Sequence, residues 1–254
     1  MNIDILTLFP EMFRGPFQES IIKRAAERGL VDISVHDLRD YATDKHKMVD
    51  DYPFGGGGGM VLKPGPIFEA VDAIKVNQKL DAKRAQSNTS VVLLSPQGVV
   101  LNQRIIEGLK LRDNLILICG HYDGIDDRVT QQIVDVEISI GDYVLSGGEI
   151  PAMVLTDSIV RLIPGAVGDP DSLNDDSHTS GLLQFPQYTR PEVYSGLTVP
   201  SVLLSGDHRA VEIWRRQQSL LKTQKVRPDL LGTAPLDSND LEFLETNTSG
   251  DVDS

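Results

Sequence analysis

The tightest constraint on this chain is a pair of short runs without a charged or hydrogen-bonding side chain. Val91–Leu94 and Leu115–Cys119 are continuous apolar stretches, and Gln103–Leu111 between them has a helical period. A strand that alternates apolar and polar residues can leave one face in water. A strand apolar throughout is buried on both faces, as a parallel strand covered by helices on either side is. The flanking sequence repeats that plan. Ile3–Leu8 reads as a strand, Phe17–Arg28 as a helix with Ile21, Ile22 and Ala25 on one face and Gly29 as its stop. Val31–His36 alternates as a half-buried strand should. Ile67, Ala70, Val71 and Ile74 mark a helix that Pro64 and Pro66 help to start. Ala82–Asn88 reads as a polar surface connection, Val136–Ile140 as a further strand, and Pro151 as the opening of a helix to about Ile163. Strands alternating with helices predict an α/β fold with a largely parallel sheet over residues 1–163.

The composition changes after Ile163. Gly, Pro, Asp, Asn and Ser dominate residues 164–180, apolar periodicity stops, and an interdomain linker is expected there. Val211, Trp214, Gln218 and Leu221 then share a helix face, predicting a small, mostly helical second domain over 181–234. Residues 235–254 carry six acidic groups and no basic ones, which reads as an acidic, disordered tail. The net charge of −13 argues against a nucleic-acid partner. Its distribution weakens that objection, because Arg209–Arg227 holds six Lys or Arg against one Glu. One cysteine, Cys119, rules out an intrachain disulfide and reads as a small buried hydrophobe. No apolar run is long enough to span a membrane, and the N-terminus lacks signal-peptide character. A cytoplasmic protein is expected.

Glycine-bearing turns follow three of the expected strands: Ser95-Pro96-Gln97-Gly98, Gly120-His121-Tyr122-Asp123-Gly124 and Gly141–Gly148. Open α/β sheets bind ligands outside the carboxyl ends of their strands, so three such turns could converge on one flat, polar ligand such as an adenine nucleoside. Each turn alone is more often just a turn. Gly55–Gly59, inside a domain, reads as a mobile loop whose backbone approaches a ligand. It is not a P-loop, since no Gly-Lys-Ser/Thr follows it, and no GxGxxG opens the first βα turn, which disfavours a nicotinamide oxidoreductase. The five histidines lack metal-ligand spacing, and no Gly-x-Ser-x-Gly elbow is present. Asp175 and Asp176 beside Ser177 and His178 could be solvated or capping as readily as catalytic. Arg161 at a helix end could serve only the helix dipole.

A family resemblance resolves part of this. Leu8-Phe9-Pro10-Glu11-Met12-Phe13, Val49-Asp50-Asp51, Leu94-Ser95-Pro96-Gln97-Gly98, Ile140-Gly141-Asp142-Tyr143-Val144-Leu145-Ser146-Gly147-Gly148-Glu149 and Tyr188-Thr189-Arg190-Pro191-Glu192-Val193 stand in collinear order. The chain resembles the bacterial tRNA (guanine-37-N1) methyltransferases of the SPOUT class over about residues 1–232. The resemblance implies a trefoil-knotted α/β domain, a topology that general folding rules would exclude. It also implies an obligate homodimer, and S-adenosylmethionine held against Ser95, Pro96, Gly120, Tyr122, Asp123, Ile140, Gly141, Tyr143, Leu145, Gly147, Gly148 and Pro151. Asp176 matches the family's general base and Arg161 its catalytic arginine. The tRNA anticodon stem-loop would meet Asp50, Gly59, Gln184, Arg190 and Arg215, and Mg²⁺ dependence is implied without any ligand pattern here. Two positions depart from the family: Asp123 where relatives have Glu, and Gln184 where they often have an acid. A knotted RNA-binding protein without catalysis is the other reading, disfavoured because Asp176 and Arg161 are both present.

Overall fold

A computed structural model describes residues 1–80, 88–169 and 175–248. The chain divides into two compact units, Met1–Gly168 and Asp169–Ser254. The first unit runs β1 (Asn2–Thr7), α1 (Arg14–Phe17), α2 (Ser20–Glu27), β2 (Asp32–Asp37), β3 (Asp50–Asp51), β4 (Val61–Leu62) and α3 (Pro64–Leu80). It continues through β5 (Thr89–Val100), α4 (Gln103–Lys110), β6 (Asn114–Cys119), α5 (Asp127–Ile133), β7 (Val136–Ser139) and α6 (Glu149–Val160). Five strands form one sheet in the order β2-β1-β6-β5-β7, and every pairing in it is parallel.

All six residues of β6 are buried. Side chains alternate across a strand, so Leu115, Leu117 and Cys119 enter one core with Ile22, Ala25, Ile106, Leu109, Leu155 and Ile159 of α2, α4 and α6. Ile116 and Ile118 enter the other core with Ile67, Ala70, Val71 and Ile74 of α3 and Val129 of α5. The apolar run in the sequence is therefore a central strand covered on both faces, and each fully buried Leu or Ile contributes roughly 1.5–3 kcal/mol.

Several boundaries differ from expectation. The helix expected over Phe17–Arg28 is split into α1 and α2, with Ser20 at a φ of 53° where the chain turns between them. Gly29 does end α2, at a φ of 68°. The seven-residue α5 had no legible period because it buries only Val129. The first unit extends past residue 163. Ala166 is buried in its core and Arg28 Nη1 donates to the Gly165 carbonyl at 2.9 Å. The polar connection expected over 82–88 lies, except for Asn88, outside the described residues, as do linker residues 170–174.

The second unit holds a short hairpin of β8 (Val193–Tyr194) and β9 (Leu197–Thr198), then α7 (His208–Val226) and α8 (Ser238–Thr248). The buried positions on α7 are Ser219, Leu220 and Thr223. Val211, Trp214, Gln218 and Leu221, expected to face inward, are only half-buried, so the buried stripe is rotated from the one the apolar pattern predicted. The reason lies in α8. The stretch expected to be a disordered tail forms this helix over 238–248, and residues 249–254 lie outside the described ones. Leu244 packs with Leu220 and Leu182, and Arg216 grips Asp240 through two hydrogen bonds, Nε to Oδ1 at 3.1 Å and Nη2 to Oδ2 at 2.6 Å. An acidic composition hid a helix that docks through Leu244, Phe243 and one ion pair.

Asp240→Asn should therefore destabilise the second unit by about 1.5 kcal/mol at pH 7, the part-exposed Arg216 keeping this below the value for a fully buried pair. Urea unfolding followed by the fluorescence of the single tryptophan, Trp214, reads this directly. The hydrogen bond from Arg216 lowers the Asp240 carboxyl below its ordinary value. The contribution is present above the unfolded-state value of about 4 and is lost as pH falls through the lower folded value, so wild type and variant should converge as pH is taken below that folded value.

Candidate active site

The carboxyl ends of β5, β6 and β7 enclose a cavity of about 480 Å³, within the range of sites that take nucleoside-sized ligands. Its wall is made by Ser95–Gln97 after the apolar half of β5, Gly120–Gly124 after β6, Ile140, Gly141 and Tyr143–Gly148 after β7, and Pro151 on α6. Every residue assigned to the methyl donor by resemblance lies on this wall.

The wall depends on close backbone approach. The β5–β7 register jumps so that Leu94 and Val99 both pair with Ile138, which leaves Ser95–Gly98 outside the pairing, with Ser95, Pro96 and Gln97 on the cavity wall. A Cβ on Gly98 would stand 2.4 Å from the backbone of Glu137 and Ile138. Gly148 donates its N–H to the Gly120 carbonyl at 2.8 Å, and a Cβ there would fall 2.7 Å from Cys119 Cα. A bridge between His121 and Gly147 joins the same two turns. Tyr122 adopts a φ of 58°, a strained conformation for a tyrosine that lines the cavity.

Behind the wall lies a polar group that sequence reasoning missed. Glu149, the first residue of α6, is 2% exposed. Thr7 Oγ1 donates to its Oε1 at 2.8 Å, and the Phe9 N–H donates to Thr7 Oγ1 at 2.9 Å. His121, on the cavity wall between the rings of Phe9 and Tyr122, holds its Nδ1 3.9 Å from Glu149 Oε2. Burial, and then the charge of Glu149, push the Cys119 thiol well above its usual value. The available signal was an acid opening a mostly apolar helix, which reads equally well as a helix-dipole residue.

The remaining candidates are dispersed. Gly59 lies at the end of the glycine loop at a φ of 96°, pressed against the Asp123 carboxylate, and the Asp123 N–H donates to the Met60 carbonyl at 3.1 Å. The loop is thus attached to the cavity mouth. Asp50 sits half-buried on β3, paired with Leu62 of β4. Arg161 caps the carboxyl end of α6 in the first unit. The other four belong to the second unit. Asp176 is half-buried in a turn whose backbone accepts the Thr179 N–H at 3.2 Å. Gln184 donates its N–H to Ser177 Oγ at 2.9 Å. Arg215 lies 4.8 Å over the Phe185 ring and 3.9 Å from Asp175, and Arg190 is exposed. Among the described residues no group of three or more His, Cys, Asp or Glu could hold a metal ion.

A parallel α/β sheet with glycine turns closed around a cavity at its carboxyl edge has the architecture of proteins that bind small polar ligands there. The family model described as "tRNA (Guanine-1)-methyltransferase TrmD" matches residues 1–233. The chain belongs to that family of enzymes. It is 54% identical over 245 residues to a Dictyoglomus turgidum protein named tRNA (guanine-N(1)-)-methyltransferase, covering 96% of each chain. It is 51% identical over 246 residues to one of the same name from Staphylococcus epidermidis, covering 97% of each. A third of that name, from Desulforudis audaxviator, is 52% identical over 244 residues, covering 96% of this chain and 95% of its own.

Gly98→Ala forces backbone rather than a flexible side chain to move, and should cost about 3 kcal/mol in thermal or urea unfolding. Gly58→Ala has nothing within 4 Å of the added carbon and should change stability by less than about 0.5 kcal/mol.

Proposed function

We propose that this tRNA (guanine-N1) methyltransferase takes its methyl group from S-adenosylmethionine held in the cavity and delivers it to N1 of guanine 37, beside the anticodon. The observation that carries the reading is the convergence of three glycine turns on one cavity of nucleoside size. Small residues bring backbone N–H and C=O groups to the ligand without side chains in the way. Gly120, Gly141, Gly147 and Gly148 would receive the donor by backbone, and Tyr122, Asp123 and Tyr143 would border it. When bound, S-adenosylmethionine supplies a methyl group already activated by its sulfonium.

The chain's own side chains then have two tasks. N1 of neutral guanine carries a proton and is a poor nucleophile, so a carboxylate must accept that proton. Asp176 takes this role. Negative charge develops on the guanine oxygen as the proton leaves, and the Arg161 guanidinium stabilises it. The Mg²⁺ that the resemblance implies has no cluster of three or more His, Cys, Asp or Glu ligands among the described residues. Asp50, Gly59, Gln184, Arg190 and Arg215 would hold the anticodon stem-loop, with Arg209–Arg227 as the electrostatic footprint. The attachment of Gly59 to Asp123 at the cavity mouth supports a role for the glycine loop beside the target base.

Tyr143, Val144 and Leu145 on the cavity wall, with Ile150 and Val154 on α6, are exposed apolar groups. They suit the homodimer that the resemblance implies. The trefoil knot of the SPOUT class would be tied by the loops that line the cavity. No helix among the described residues is long and apolar enough to cross a membrane, and work on tRNA suits the cytoplasm.

Asp176→Ala should lower kcat by at least about 100-fold, the scale of a lost general base, with donor affinity in calorimetry unchanged within about threefold. Arg161→Ala should lower kcat by about 100-fold or more, the scale of a lost charge stabiliser. Substantial turnover by Asp176→Ala would overturn its assignment as base.

A further inference from the structure

Glu149 is a buried carboxyl group with incomplete compensation. Among the described residues its carboxylate receives one hydrogen bond, from Thr7, and it lies at the amino end of α6, whose dipole favours an anion there. Among the described residues no Lys or Arg nitrogen lies within 4.0 Å of it. Its nearest basic neighbour, His121 Nδ1, is at 3.9 Å, beyond hydrogen-bonding distance, and is itself a buried nitrogen without a hydrogen-bond partner among the described residues. Taking a carboxylate out of water is costly unless a countercharge is supplied. The nearest wall residue to this carboxylate is Gly147. A Cβ on Gly147 would stand 2.3 Å from Glu149 Oε2 and 2.5 Å from His121 Nδ1, and Gly147 and His121 both line the cavity. The carboxylate is thus packed against a backbone segment that lines the cavity, and no side chain can be added there.

We propose that Glu149 supplies the charge by which the cavity prefers a cationic sulfonium donor to the neutral thioether that remains once the methyl group has left. The inference rests on the reading that the donor occupies this cavity. The two ligands differ by one methyl group and one positive charge, so shape separates them weakly and an unscreened negative charge separates them well. Glu149 acts across Gly147 rather than by contact, and His121 is the wall residue it faces. The same preference favours release of product after each turnover.

The test is calorimetric titration of the full-length protein with S-adenosylmethionine and, separately, with S-adenosylhomocysteine. Glu149→Gln keeps the size of the side chain and an acceptor for Thr7 while removing the charge. It should weaken donor binding by about tenfold and product binding by less than about threefold, as expected for loss of one nearby charge. Glu149→Asp, which keeps the charge, should recover much of the preference. Equal weakening of both ligands, or of neither, overturns the inference. Should Glu149→Gln fail to melt cooperatively, the wild-type protein decides: it must bind the cation several-fold tighter than the neutral product, and equal affinities overturn the proposal without any variant. A different outcome would remove the underlying reading instead, namely wild-type binding of both ligands untouched by Gly148→Val, whose side chain intrudes on Cys119 and Gly120.

Discussion

The complete burial of β6 is the constraint on which the first unit depends. A strand with no face left for water must be covered twice, and the chain does so with α2, α4 and α6 on one side and α3 and α5 on the other. Double coverage favours parallel pairing, because each crossover lays its helix on a face of the sheet. Parallel strands all end at the same edge. The turns that follow β5, β6 and β7 are therefore brought together by the same apolar residues that hold the core, and the cavity is a consequence of how the core is closed.

Close approach then sets the chemistry of that edge. Gly98, Gly147 and Gly148 stand where a Cβ would collide with neighbouring backbone or with buried polar atoms. Their bare backbones let the β6 and β7 turns join, through Gly148 N–H to Gly120 and the His121–Gly147 bridge. The same closeness brings Glu149 up to the cavity wall. Packing and electrostatics are linked here: the glycine that permits the turns to meet also permits a buried charge to reach the ligand space.

How much of this was legible in the sequence varies by element. β6, the apolar half of β5 and α3 were readable because full burial leaves an unbroken apolar run or a strict helical period, as with Ile67, Ala70, Val71 and Ile74, whereas the turn expected at Ser95–Gly98 lies within β5. α5 was not, since Val129 alone carries its burial. α8 was misread because its acidic residues outweighed Leu244, and because the Asp240–Arg216 pair joins residues 24 apart in sequence. Spacing showed that glycine turns followed strands. Resemblance, rather than spacing, named the particular wall residues, and it also named Asp176 and Arg161, which fall on different units. Glu149 and His121 escaped both routes: the pattern of an acid at a helix start has an ordinary structural explanation, and only three-dimensional proximity to Gly147 gives it another.

The central claim is that this member of the tRNA (guanine-1)-methyltransferase family methylates one guanine, at position 37. Incorporation of labelled methyl from S-adenosylmethionine into an unmodified tRNA transcript with guanine at positions 36 and 37 measures it most directly, beside a transcript in which guanine 37 alone is replaced. Transfer to the first transcript and none to the second is the expected result. Equal transfer to both would contradict the assigned position, and absence of transfer to either by a protein that binds the donor would contradict the enzyme itself.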